Sequence, residues 1–436
     1  MSIETLSILV LFFSFMGLLA YGVPVAYSIG ISTTLTLLIN ISYMPGITTV
    51  SQRMTTGIDN FALLAIPFFI LAGEIMNRGG IANRLIDLAK SMIGSLPGGL
   101  AYVNIISAML FGSVSGSAIA AASAIGSTLT DKMAKDGYPR EFSAAVNISS
   151  STTGLLIPPS NVLIIFALAS GGTASVAALF IAGYIPGLMV GLAIMAMVFY
   201  YAKRKGLPRE GRVSFKKLLI DFKNAFLSLT LLVIVVGGIV AGVFTATEAA
   251  AIAVVYSILL GFWNRELKFS DFRPILLRSA KTTAIVMFLI ATSMAMSWLF
   301  SFQSIPQSLT GFLLESVKDP ILVLLFINIT LLIVGTFMDM TPAVLIFTPI
   351  FLPVVMAMGM HPVHFGMVIV LNLCIGVCTP PVGTLLFVGS GVAQVPITRV
   401  IGPLLPFLGA MVVVLMILTY IPDLSLWLPR AFGLIE

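Results

Sequence analysis

The chain has 436 residues, of which 58% are hydrophobic and 9% charged, and its mean hydropathy is +1.10. A soluble domain carries about 25% charged residues, so a soluble protein is excluded and a polytopic membrane protein is indicated. The formal net charge of +6 does not point to nucleic acid, because the basic residues fall between apolar spans and form no common face.

The amino terminus, MSIETLSILVLFF, has no basic region and carries Glu4, so residues 5–20 read as a retained first span and not as a cleaved signal. Runs long enough to cross a bilayer, about 20 residues each, follow at 24–40 and 61–77, with Gly22 and Pro24 dividing the first two. Arg78, Arg84 and Lys90 precede an irregular unit over 98–170. A span at 176–201 leads to the densest charge run, Lys203, Arg204, Lys205, Arg209, Arg212, Lys216, Lys217 and Lys223, which marks a cytoplasmic loop. Spans at 225–244 and 247–263 return the chain to Arg265, Lys268, Arg273, Arg278 and Lys281 on the same side. After a span at 282–300 and the nearly uncharged 301–319 comes a second irregular unit at 320–395, then Arg399 and a last span at 402–421.

The two irregular units are copies. FGSVSGSA, GYPREF, TGLLIPPS and ASGG in the first are echoed by VGTFMDMTP, GMHPVHF, IGVCTPPV and GSG in the second, with Gly154–Pro159 and Gly376–Pro381 offset by 222 residues. Equivalent connections carry opposite charge bias. Residues 42–58 hold one basic residue against five in 264–281, while 78–96 hold three against one in 301–319. The positive-inside rule then requires halves of opposite orientation, an inverted repeat. With this orientation both termini are expected in the periplasm.

Each unit is expected to enter as an apolar arm, turn at Gly112–Ser117 or Gly335–Thr341, and leave as a re-entrant hairpin. A crossing helix broken at Gly154–Ser160 or Gly376–Gly383 follows, because proline lacks an N–H and clashes with the preceding turn. Irregular backbone at membrane depth survives only when it is buried in protein or lines a polar cavity. Exposed carbonyls suit Na⁺, and the amino ends of half-helices suit an anion.

Asp339 stands in a stretch free of charge between Asp319 and Arg399, and an intramembrane carboxylate reads as a cation ligand or ligand-orienting group unless it merely caps the hairpin tip. Ser113, Ser115 and Ser117 in the first turn, and Asn147, Ser149, Ser150, Ser151, Thr152 and Thr153 before the first break, read as site residues or as helix-packing polar groups. Glu74 and Arg78 read as an i,i+4 pair or interfacial anchor, with a proton site as the alternative for Glu74; Glu248 reads as complementing a helix start, and Arg53 and Asp59 as loop charges flanking the 61–77 span, with an anionic substrate as the alternative partner of Arg53. Cys374 and Cys378 read as core thiols, and His361 and His364 as surface residues at the base of the second hairpin.

LLAIPFFILAGEIM (63–76), GSVSGSA (112–118), IPPS (157–160), GTFMDMTP (335–342) and TPPVG (379–383), in this order, resemble the large membrane subunit of tripartite ATP-independent periplasmic (TRAP) transporters over nearly the whole chain. The resemblance implies an all-α, inverted-repeat elevator in the inner membrane. Its scaffold would comprise residues 1–97, 176–300 and 399–436, and its transport units residues 98–175 and 301–398. It further implies Na⁺-coupled uptake of a small organic acid such as sialic acid or a C4-dicarboxylate, with no other cofactor and no catalytic residue. The implied partners are membrane lipid, a small four-helix (Q-type) membrane subunit on a separate polypeptide, and a periplasmic (P-type) substrate-binding protein. Two symmetric turns imply two Na⁺ sites, one drawing on Ser113, Ser115, Asn147, Thr153 and Gly154, the other on Gly335, Thr336, Asp339, Gly376, Cys378 and Thr379. Ser117, Ser150, Pro159, Ser160, Thr341 and Pro381 are the expected substrate contacts. The alternatives are an ion-coupled carboxylate carrier working without a binding protein and, more remotely, an intramembrane hydrolase using Ser115, which needs a base within reach.

Overall fold

A computed structural model describes residues 3–208, 214–316 and 319–436, so Arg209 and Arg212 of the expected charge run lie outside the described residues. All regular structure among the described residues is helical. The first half comprises α1 (Ile3–Ala20), α2 (Val25–Asn40), α3 (Tyr43–Ile58), α4 (Ala65–Arg78), α5 (Ile81–Ile93), α6 (Gly99–Ser115), α7 (Ala118–Lys135), α8 (Arg140–Ser151), the single turn α9 (Thr153–Leu156), α10 (Asn161–Ala169) and α11 (Val176–Lys205). The second comprises α12 (Phe215–Val240), α13 (Ala246–Trp263), α14 (Phe269–Phe302), α15 (Ile305–Ser316), α16 (Pro320–Phe337), α17 (Met340–Ala357), α18 (Pro362–Gly376), α19 (Thr384–Ala393), α20 (Ile397–Tyr420) and a terminal α21 (Asp423–Ala431).

The order of elements repeats apart from the extra turn α9 and the terminal α21, and α3 and α4 of the first half correspond to the single 34-residue α14 of the second. Residues 42–58, 78–96 and 301–319, read from the sequence as connections, instead carry the short helices α3, α5 and α15. These helices are shorter than a bilayer requires, and α3 and α5 are amphipathic, so a search for long apolar runs passes over them.

Local chemistry explains where elements start and stop. Ser117 and Ser175 accept bonds from the backbone N–H groups of Ala120 and Ala178 at 3.2 and 3.1 Å, as N-caps do. Thr245 and Glu248 form a reciprocal capping box that fixes the start of α13. Gly116 and Gly206 end their helices at φ +62° and +60°, a backbone setting that suits glycine.

The basic connections are gathered at one end of the bundle. Arg78 pairs with Asp271 at 3.0 Å and Arg84 with Glu266 at 2.7 Å, joining the charged segments of the two halves. The N–H of Gly98 donates to Pro208 O at 3.0 Å, and Arg140 Nη1 donates to Ala393 O at 3.3 Å, so both hairpin-1 flanks and the end of α19 lie there too. Arg53 is at the far end, on α3, with its guanidinium 5.0 Å from the Trp298 ring centroid.

α8 and α18 lie at the centre, and α11 and α20 pack on them, which couples these two long helices to the broken crossings. The arms of the hairpins are tied to the crossings by buried amides at corresponding positions. Ser150 Oγ donates to Asn104 Oδ1 at 3.1 Å in the first half, and Asn372 Nδ2 donates to Asn328 Oδ1 at 2.9 Å in the second. His364 is not at the surface: it is buried, with Nδ1 2.6 Å from Ser425 Oγ and Nε2 3.3 Å from Thr419 O, because α20 and α21 cover the start of α18. His361 does sit at the helix start, where its Nδ1 accepts from Val363 N at 3.2 Å. Cys374 and Cys378 are free and buried.

Candidate functional site

Each hairpin tip meets the break of its own crossing helix through glycine. A Cβ on Gly112 would stand 2.5 Å from Gly154 Cα, and one on Gly335 would stand 2.9 Å from Gly376 Cα. Only glycine permits backbones this close. The breaks themselves fall at Ile157–Ser160 and Val377–Gly383, and the two halves of the first crossing are bent by 51°. The Pro158–Pro159 and Pro380–Pro381 peptides are both cis. The second tip is further fixed by a bond from Gly383 N to Thr336 O at 3.2 Å, and by Thr384 Oγ1 donating to Asp339 Oδ1 at 3.1 Å.

Between the tips lies a cavity of about 220 Å³, reached by both hairpins and both breaks. Its walls include Ser117–Ala120, Asn161–Val162, Met340–Thr341 and Thr384–Leu385, which are the caps or first turns of α7, α10, α17 and α19. Four helix amino ends therefore border one space. First-turn N–H groups have no partner within their own helix, and the aligned peptide dipoles place partial positive charge there. The remaining wall comes from α4, through Ile66, Ile70, Gly73 and Glu74, and from α14, through Thr282 and Val286. No lysine or arginine lines the cavity, and its charged side chains are Glu74 and Asp339.

Of the expected substrate contacts, Ser117 and Thr341 line this cavity, as do Ser115 and Asp339 from the expected ion sites. Ser150, Pro159 and Ser160 are buried outside its lining, with Ser160 Oγ donating to Leu155 O at 2.6 Å, and Pro381 is exposed away from it. The other expected ion ligands surround the glycine contacts. Ser113, Thr153, Thr336 and Thr379 donate their hydroxyl protons to carbonyls three or four residues earlier in the chain at 2.6–2.8 Å. A hydroxyl that has placed its proton in this way keeps its lone pairs for another donor or a cation. Asn147 Nδ2 donates to Ala122 O at 2.8 Å and its Oδ1 has no partner, while Cys378 Sγ is turned toward Ile148 O at 3.7 Å. Asp339 is the N-cap residue of α17 and accepts from Thr384 Oγ1 and the backbone of Met340, with no cap bond to the later first-turn amides.

Glu74 was missed as a cavity residue. The i,i+4 spacing suggests a pair with Arg78, but Arg78 turns to Asp271 instead, and the side chain of Glu74 has no ion-pair or hydrogen-bond partner among the described residues. The signal present in the sequence was the same as at Asp339, a carboxylate inside an apolar run.

Residues 12–424 match the family model described as the tripartite ATP-independent periplasmic transporter, DctM component. The chain belongs to the DctM family. An uncharacterized protein, YgiK, of Salmonella typhimurium is 50% identical over 98% of both chains. The C4-dicarboxylate TRAP transporter large permease protein DctM of Pseudomonas aeruginosa is 41% identical over 93% of this chain and 95% of its own. The YdaH transporter of Alcanivorax borkumensis, a solved structure, superposes with a TM-score of 0.66 over 90% of both chains at 13% identity, which shows a shared fold. As a DctM component, the chain is a multi-pass TRAP permease and not an enzyme.

Proposed function

We propose that the cavity binds the carboxylate of a small organic acid and that the protein imports this acid by Na⁺-coupled elevator movement after delivery by a periplasmic binding protein. The observation that carries this reading is the convergence of four helix amino ends on a space with no basic side chain. An anion held there is bound by backbone donors. The paired Gly112–Gly154 and Gly335–Gly376 contacts, each flanked by hydroxyls with their protons already placed, supply oxygen ligands suited to two Na⁺ ions. The two carboxylates of the cavity disfavour an anion until such cations are bound, which gives coupling a physical basis.

The moving body in this reading contains both hairpins, both broken crossings and also α11 and α20, since these helices pack on α8 and α18. The Q-type subunit would hold the outer helices and the P-type protein would dock at the end opposite the basic connections. The basic end faces the cytoplasm and both termini face the periplasm. A cysteine placed at Gly206 is therefore expected to react only with a reagent supplied from the cytoplasm, and one at Gln307 only from outside. Labelling of both from one side removes the inverted orientation.

The test of the function is uptake into liposomes that hold the chain and its small partner subunit, with a panel of loaded binding proteins and an inward Na⁺ gradient. Uptake of one or more carboxylates that collapses when Na⁺ is replaced by K⁺ is the expected result. Equal uptake of free substrate by the chain alone would instead favour a carrier that works without a binding protein.

A further inference from the structure

The cavity has two chemically different walls. On the hairpin and broken-helix side lie the four helix amino ends, where Ala120 N–H is taken by Ser117 Oγ and Leu385 N–H by Val377 O, and the other first-turn amides have no partner within their own helix. On the α4 side, Glu74 presents an acceptor without a donor, and Asn161, at the start of α10, has a buried Oδ1 that also has no hydrogen-bond partner. Glu74 is half-buried, one helical turn before Arg78 at the basic end, and its carboxylate is open to the cavity with no partner among the described residues. Glu74 cannot be met by a basic side chain, because none lines the cavity and Arg78 is held by Asp271.

Resting on the reading of this cavity as an organic-acid site, we infer that Glu74 is a specificity-determining residue: it receives the hydroxyl or amine donors of a substrate carrying a single acid group, and it excludes a plain dicarboxylate. The ligand lies with its carboxylate at the helix amino ends and its donor-bearing end toward Glu74 and Asn161. Hydroxyl groups at that end satisfy both orphan acceptors. A second carboxylate there stands against Glu74 with only like charge and no donor, so the two repel. Gly73 brings this part of α4 close to the first hairpin tip, since a Cβ on it would be 3.0 Å from Ser115 O. The charge of Glu74 therefore stands beside the tip.

Three acids of equal chain length separate the possibilities: gluconate, which has one carboxylate and hydroxyls; adipate, which has two carboxylates; and hexanoate, which has one carboxylate and no donors. Binding is measured on the purified full chain in lipid nanodiscs with saturating Na⁺, by the ligand-dependent rise in melting temperature, for the parent protein and Glu74→Gln. The parent is expected to favour gluconate over adipate and hexanoate by about tenfold or more, the scale of a hydrogen bond to a charged group. In Glu74→Gln the preference for gluconate over adipate is expected to shrink to about twofold, with adipate binding gained. The ligand-free melting temperature of the variant shows that it is folded. Equal binding of adipate and gluconate by the parent overturns the inference, as does an unchanged preference in the variant, while the cavity remains an acid site. If none of the acids binds, and none is taken up in the reconstituted system with loaded binding proteins, the organic-acid reading falls and this inference falls with it.

Discussion

Asp339→Asn is expected to raise the Na⁺ concentration needed for half-maximal uptake by about tenfold or more, with stability changed by less than about 0.5 kcal/mol. The substitution keeps the shape of the side chain and an oxygen that can accept from Thr384 Oγ1, now 3.1 Å from Asp339 Oδ1, so the tie between the second hairpin tip and α19 survives. Only the charge is lost. Thr384→Val does the reverse, removing the tie and leaving the charge, and is expected to cost about 1 kcal/mol in stability with a smaller change in Na⁺ dependence. Asp59→Asn, at the end of α3 and outside both hairpin units, serves as the control. Uptake as a function of Na⁺ concentration, in liposomes with matched protein incorporation, separates the variants. An unchanged curve for Asp339→Asn would leave the carboxylate structural and assign the second cation site to hydroxyls and backbone carbonyls.

Gly112→Val and Gly335→Val are each expected to abolish Na⁺-dependent uptake and to lower stability by about 1–3 kcal/mol or more, because the introduced side chain meets backbone and not a flexible chain end. The neighbouring atoms belong to Gly154 and Gly376, in the crossings that the hairpin tips must touch for the hydroxyls on both sides to converge. Gly237→Ala, on α12, has nothing within 4 Å of the added carbon and is expected to be neutral or to stabilise slightly through helix propensity. Melting temperature and uptake measured on the same preparations decide the matter. Should Gly112→Val transport at the parent rate, the close approach of the first tip to its crossing has no part in coupling.

The feature most legible in the sequence was the repeat, since Gly-rich turns and Pro-Pro breaks are local signals that survive without knowledge of neighbours. From it followed the two hairpin tips, the breaks and the prominence of Asp339. What was not legible depended on pairing across the chain. Arg78 is near Glu74 in sequence, yet its partner is Asp271, 193 residues away, and Glu74 lines the cavity. Likewise His364 is buried by α20 and α21, although its position just after a turn suggested exposure. Ser150, Ser160 and Pro381 are polar or irregular in the right stretches, but Ser150 turns to Asn104, Ser160 in the first break bonds Leu155 O, and Pro381 in the second break is exposed, so none of them lines the cavity. The split of α3 from α4 opposite a continuous α14 was invisible to a count of apolar spans, since both versions contain one run of membrane length.

A binding surface made of peptide groups has implications for how such a protein diversifies. The donors contributed by the first turns of α7, α10, α17 and α19 belong to the main chain, so side-chain replacement there leaves the electrostatic attraction for an acid group in place. They also carry no titratable proton, so this part of the affinity stays level across the physiological pH range. Under the proposed function, variation in cargo would fall to side chains that contact the rest of the molecule, such as those of α4 and α14, and a single exchange on those helices would change selectivity without dismantling the shared anchor.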